Sequence, residues 1–255
     1  MDALLPSLGW GFALAASLLV GALAAVLLKL PERLAAIVTA FGGGLLFAAV
    51  AFELVPRADH EAGSAITAAC IVAGTLVYVA ADWWLARDDT TADMRRSGHA
   101  AAAGMPMTMR NGHGEAARGE AIAAGLFVDG VPESIALGLT LAEGAIGGAL
   151  LVGILVGNVV EAYGAAQPIV AGGHTRRFAM GLLGAIGASL ALATVLGATI
   201  LDGASPSIVG GAEAFAAGAV LAVVSISIIP YAFAKVSGLA ACATVAGFVA
   251  GYLLS

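Results

Sequence analysis

"GLFVDGVPESIALGLTL", Gly125–Leu141, reads as the middle of a membrane-crossing helix, yet it holds two carboxylates, Asp129 and Glu133. Its setting makes the membrane reading firm. The 255-residue chain is 60% hydrophobic and 11% charged, whereas soluble domains run at about 45–50% apolar and about a quarter charged. Its 35 glycines suit closely packed membrane helices. The apolar runs are continuous and do not alternate, so helices are expected and strands are not.

A span needs about 20 apolar residues. Eight such runs are present: Leu8–Leu28, Leu34–Val55, Ser64–Ala86, Glu120–Leu141, Ala145–Ala171, Phe178–Leu201, Ala212–Ala234 and Ser237–Leu254. They predict one all-α transmembrane domain over residues 1–255. The first run has no basic segment before it, so it is expected to be a retained span and not a cleaved signal. Most connections are short. The exception, Arg87–Gly119, is polar and rich in Gly, Ala and Met, and is expected to lack structure of its own.

The basic residues orient this map. With eight alternating spans, Lys29, Arg33, Arg87, Arg95, Arg96, Arg110, Arg118, Arg176, Arg177 and Lys235 share one side, and only Arg57 falls with the termini. The positive-inside rule then puts both termini outside (periplasmic, in a bacterial inner membrane) and the long loop in the cytoplasm.

The chain also repeats itself. "AFGGGLLFAAVAFELVPRA" (Ala40–Ala58) resembles "AFAAGAVLAVVSISIIPYA" (Ala214–Ala232), and the two spans run in opposite directions. Between them, "VDGVPES" (Val128–Ser134) aligns with "VGNVVEA" (Val156–Ala162). A 3+2+3 inverted repeat is expected, a plan common in transporters.

Asp129 and Glu133 are spaced i, i+4, which puts them on one helix face. Asn158 and Glu161 are spaced i, i+3 on the next span, joined to the first by a few residues near Glu143. All four are expected to meet at mid-membrane depth. Three carboxylates in low dielectric repel unless a cation or protons intervene. Pro132 adds a freed carbonyl, that of Val128, and freed backbone groups in a membrane are tolerated where they line a cavity. Gly130 and Gly157 are expected to permit close backbone approach. The competing reading makes these carboxylates protonated, hydrogen-bonded glue between helices. Intramembrane ionisable residues are functional by default, and a repeated set argues more strongly than a single one.

Other candidates carry less. Glu53, three residues before Pro56, reads equally as an entrance ligand or a snorkelling interfacial carboxylate. Asp82, Trp83 and Trp84 form a usual interfacial end to the third span. Ser225, Ser227 and Tyr231 suit hydrogen bonds across helices. The loop run "MPMTMRNGHG", with His99, Met105, Met107, Met109 and His113, offers soft ligands for thiophilic metals, though chance composition accounts for it as well. Cys70 and Cys242 are expected to be small buried hydrophobes without metal or redox spacing. Net charge is −6, so no basic nucleic-acid footprint exists. No nucleophile–base pair or zinc-peptidase motif points to an enzyme.

These residues resemble those of the ZIP (Zrt/Irt-like) metal transporters across nearly the whole chain. That family's fourth helix typically carries His-Asn-x-Pro-Glu-Gly; here it is Asp129-Gly130-Val131-Pro132-Glu133-Ser134. Its fifth helix carries a related Pro-Glu-Gly motif; here it is Gly157-Asn158-Val159-Val160-Glu161-Ala162. The second helix, commonly His-x-x-Pro-Glu, reads Glu53-Leu54-Val55-Pro56-Arg57, and the seventh, often Glu-x-x-Pro-Glu, reads Ser227-Ile228-Ile229-Pro230-Tyr231. The resemblance implies eight spans, uptake of zinc, manganese or iron into the cytoplasm, and metal-ligand positions at Asp129, Glu133, Asn158 and Glu161. Glu53 stands as a further candidate ligand. All four His are expected in loops, so the intramembrane donors are oxygens, which suit ions harder than zinc, such as Mn²⁺ or Mg²⁺.

The expected partners are therefore the lipid bilayer and a divalent metal ion (Zn, Mn, Fe or Cd) as transported substrate. No prosthetic cofactor and no nucleic acid are expected, and a homodimer is one assembly open to such a chain. A diverged, non-transporting relative with a structural or sensing role, and a proton or cation channel, are the alternatives.

Overall fold

The computed structural model describes residues 4–28, 31–85, 115–142, 144, 148–171, 173–201 and 203–255. Among them the chain is all helical, with eight helices. We number them α1 (Leu4–Leu27), α2 (Glu32–Ala62), α3 (Ser64–Leu85), α4 (Glu115–Ala142), α5 (Gly148–Ala171), α6 (Arg176–Thr199), α7 (Pro206–Val236) and α8 (Gly238–Leu254). Seven are long and apolar enough to cross a membrane. The eighth, α8, is apolar but has 17 residues, about 25 Å of rise against a hydrocarbon core of about 30 Å. The chain is thus an integral, multi-span membrane protein by helix length and hydropathy.

Both α2 and α7 outrun the apolar runs that announce them. α2 was expected to stop at Val55, and α7 to span Ala212–Ala234. α2 passes through Pro56, beyond its expected end, and α7, which passes through Pro230 as expected, extends at both ends. In α2 a π-helical turn, Val50–Leu54, separates Glu32–Ala49 from Val55–Ala62. In α7 the turn is Val224–Ile228, followed by Ile229–Val236. The wider turn lets Val55 donate to Val50 O and Ile229 to Val224 O. It thereby absorbs the break that Pro56 and Pro230 would otherwise make. Arg57 Nε donates to Glu53 O at 2.9 Å, covering a carbonyl in the disturbed stretch. His60 therefore lies on a helix and not in a loop as expected. α2 closes at Gly63, whose φ of 79° supplies the left-handed stop.

α4 also departs from expectation. It begins at Glu115, inside the segment expected to lack structure. Glu115, Ala116, Ala117 and Arg118 are good helix formers, and propensity carries the helix past the end of the apolar run.

Burial sorts the bundle. Two-thirds of the apolar windows of α2, α4 and α7 is enclosed by protein (67%), against 17% for α3. α1 and α6 are intermediate, each at 33%. One core joins α2, α4, α5 and α7 around Leu46, Leu137, Ile154 and Val220. A second joins α1, α4, α5 and α6 around Leu18, Ala162 and Leu190. α4 and α5 belong to both, so they form the middle of the molecule.

The helix crossings come in matched pairs. α8 packs on α2, and α3 packs on α7. At the first crossing, a Cβ on Gly44 would collide with the Thr244 carbonyl, and one on Gly247 with that of Phe41. At the second, Gly218 stands against Ile71 O and Gly74 against Phe215 O in the same way. α1 crosses α6 reciprocally: a Cβ on Gly11 would lie 3.1 Å from Ala191, and one on Gly187 2.9 Å from Ala15. Small residues at these points let backbones approach closely where apolar burial alone gives little drive.

The surface of this bundle carries exposed apolar side chains such as Phe12, Val72 and Val245. Cys70 is half-buried and Cys242 exposed, both as free thiols, so the expected burial in protein does not hold for either. An apolar solvent lets small apolar side chains sit on the outside.

A candidate metal site between α4 and α5

α4 runs as one helix through Pro132, which keeps Asp129 and Glu133 one turn apart on the same face. α5 packs along it and carries Asn158 and Glu161. Asp129, Glu133 and Asn158 are buried, at 5%, 7% and 2% exposure, and Glu161 is half-buried. The three carboxylates lie on these two packed helices. α5 contains no Lys or Arg, and α4 only Arg118, close to its start.

The neighbours of these groups differ. Tyr78, from α3, donates its hydroxyl hydrogen to Asp129 Oδ1. Asn158 Nδ2 is buried with no hydrogen-bond partner among the described residues, and so is Ser134 Oγ, next to Glu133. Buried polar atoms without partners are uncommon, and here two occur on the helices that carry the carboxylates. No atom from outside its own stretch of helix lies within 4 Å of where a Cβ on Gly157 would be, while a Cβ on Gly42 of α2 would lie 3.8 Å from the Gly157 backbone N. Gly130 faces the side chain of Leu190, not backbone. Among the described residues, no group of three or more His, Cys, Asp or Glu side chains is arranged to hold a metal ion. The carboxylates share a region without being gathered on one point.

Glu53 lies elsewhere. Its Oε1 accepts from Ala149 N at 3.0 Å and its Oε2 from Leu150 N at 3.4 Å. The Ser255 hydroxyl adds a bond to Oε1 at 3.2 Å. Glu53 thus caps the N-terminus of α5, where unpaired N–H groups and the helix dipole favour an anion. At 7% exposure it does not snorkel. Asn158 begins two and a half turns further along α5, roughly 14 Å by helix rise.

Ser227 holds the place in α7 that Glu53 holds in α2. It is buried, and its Oγ finds no partner among the described residues, while Ser225 is exposed. His99, Met105, Met107, Met109 and His113 lie outside the described residues.

Three residues with polar roles escape a reading of sequence. Tyr78 sits alone in an apolar span, 51 positions from its partner. Arg57 and Glu213 form an ion pair at 4.0 Å between α2 and α7, with Glu213 fully enclosed. A signal for that pair existed: Arg57 is the one basic residue on its side of the positional map, and Glu213 is a lone acid opening the seventh apolar run.

No protein-family model matches the chain, and no curated protein matches it.

Proposed function

We propose that this protein is a ZIP-like carrier of divalent metal ions, taking Mn²⁺-like or Zn²⁺-like cations across the membrane through the carboxylates of α4 and α5. One observation carries the reading: Asp129, Glu133 and Asn158 are buried and Glu161 is half-buried on two packed central helices that offer no basic side chain at that level. A divalent cation neutralises two of those charges. Asn158 contributes an oxygen once its amide turns, and the open space beside Gly157 gives an ion room. Metal binding on this reading draws Glu133 and Glu161 together.

The matched crossings support the accompanying architecture. Gly44–Thr244 and Gly218–Ile71 are one contact made twice, and the two π-turns fall at equivalent places before Pro56 and Pro230. We read α1–α3 and α6–α8 as inverted repeats around α4 and α5, a 3+2+3 plan, with both termini outside. Inverted repeats rocking against each other around a central site give alternating access.

A second reading has its own support. The bond from Tyr78 to Asp129 and the lack of a ready-made ligand group also suit a structural carboxylate cluster in a non-transporting protein.

Equilibrium binding separates them. Purified protein in detergent is titrated with Mn²⁺, Zn²⁺, Fe²⁺, Cd²⁺ and Mg²⁺, beside Glu133→Ala and Glu161→Ala. Saturable binding by the parent chain that either substitution weakens at least tenfold supports the carrier. Binding that is absent, or indifferent to both substitutions, overturns it.

A further inference from the structure

Two joints of the bundle occupy equivalent places and are built differently. The likeness of Ala40–Ala58 to Ala214–Ala232 pairs Glu53 with Ser227 and Pro56 with Pro230. Carried on in the same register, it pairs Gly63 with Ser237. Both joints open on a π-turn, followed by a short last stretch of helix, Val55–Ala62 in α2 and Ile229–Val236 in α7. Both close alike. Gly63 N donates to Asp59 O and Ser237 N to Phe233 O, each at 2.9 Å, with the backbone turned to positive φ.

What restrains the two stretches differs. In the α2 turn, the Glu53 carboxylate accepts from Ala149 N, Leu150 N and the Ser255 hydroxyl. The stretch beyond it lies close along α7: a Cβ on Gly210 would stand 2.9 Å from Ala58 O. It ends on a glycine, which takes φ of 79° without strain. In the α7 turn, Ser227 stands where Glu53 would be. It is 5% exposed, and its Oγ has no hydrogen-bond partner among the described residues. A buried hydroxyl in that condition is costly. The stretch beyond it packs through Ala232 and Val236, largely against alanines of α2 and α8. It ends on a serine. Alone among the described non-glycine residues, Ser237 takes a positive φ, 47°, with ψ −122°. That ψ lies far from the small left-handed well open to residues with a side chain, in territory that suits glycine. Strained backbone of this kind persists only where its surroundings enforce it, and it gathers in segments that switch.

We infer that Ile229–Val236 is a hinged flap: it swings on the Val224–Ile228 turn and lets Ser237 leave its strained conformation, while the equivalent Val55–Ala62 stays locked. Both the orphaned hydroxyl and the strained joint raise the energy of the closed flap, so both favour its opening. The inference concerns the mechanics of the fold and does not depend on the carrier reading. In a carrier, the flap would serve as a gate at the end of the bundle where α7 meets α8.

The test is hydrogen–deuterium exchange of the full chain in detergent, read by mass spectrometry and corrected for intrinsic rates. Amides of residues 231–236 are expected to exchange about tenfold faster than those of residues 57–62, because local opening sets their protection. Ser237→Gly keeps the joint and removes its strain, so it should slow exchange in residues 231–236 about tenfold and leave residues 57–62 unchanged. Ser227→Ala removes the orphaned hydroxyl and should act in the same direction. A glycine that merely loosened the joint would speed exchange instead. Equal protection of the two stretches in the parent chain, or exchange that neither substitution slows, overturns the inference.

Discussion

The Arg57 guanidinium of α2 stands 4.0 Å from the carboxylate of Glu213 of α7, an ion pair without a hydrogen bond between the two groups. Glu213 is fully enclosed, while the Arg57 side chain keeps 24% of its exposure. Breaking such a pair from one side strands a charge in the bundle. Glu213→Ala strands the partly exposed arginine, so a loss of about 3 kcal/mol is expected, at the low end for buried pairs. For a chain of this size that lowers Tm by roughly 6–12 °C. Replacing both partners, Arg57→Met with Glu213→Leu, removes both charges and should recover most of the loss. Thermal unfolding in detergent measures it. Equal losses in the single and double variants would show that the pair is not what holds these helix ends.

On the carrier reading, Glu53 separates structure from transport more cleanly. Its bonds to Ala149 N and Leu150 N make it a helix cap, and caps contribute about 0.5–2 kcal/mol. Glu53→Ala should lower stability by about that much and leave the KM for Mn²⁺ within about twofold of the parent. A tenfold change in KM would instead place Glu53 on the ion path.

Helix crossings predict opposite signs for two glycines. Gly218→Ala puts a methyl into the Ile71 carbonyl, and forcing two helix backbones apart should cost about 1–3 kcal/mol or more. Gly157→Ala meets nothing within 4 Å and replaces a mid-helix glycine, which favours the helix by roughly 0.5–1 kcal/mol. Tm should fall in the first and hold or rise in the second. The same pattern is expected for Gly44→Ala, the counterpart of Gly218 at the α2–α8 crossing. A tolerated Gly44→Ala would argue that the crossing has slack.

Hydropathy made the helices legible because a bilayer demands long apolar runs, and "GLFVDGVPESIALGLTL" placed Asp129 and Glu133 on one face by helix period alone. The internal likeness of Ala40–Ala58 to Ala214–Ala232 marked where the two π-turns stand, without revealing them. Pro56 read as a helix end, since a proline normally stops a helix, whereas the seventh run already passed through Pro230; a wider turn precedes both prolines and carries α2 beyond the first. Tyr78 and Glu213 stayed hidden for a different reason. Their partners lie 51 and more positions away, and no local spacing encodes which helices become neighbours. Glu53 was visible as an entrance ligand or an interfacial carboxylate. That it faces the N-terminus of α5 depends on how α2 leans against α5, which hydropathy does not specify.

The most direct measurement is uptake of Mn²⁺ and Zn²⁺ into sealed proteoliposomes holding the full chain, with Glu133→Ala and Glu161→Ala as controls matched for folding by Tm. The carrier account predicts saturable uptake by the parent chain and its loss in both variants. Absent uptake in folded protein, or uptake that survives both substitutions, would contradict it and leave Asp129, Glu133 and Glu161 as a structural cluster.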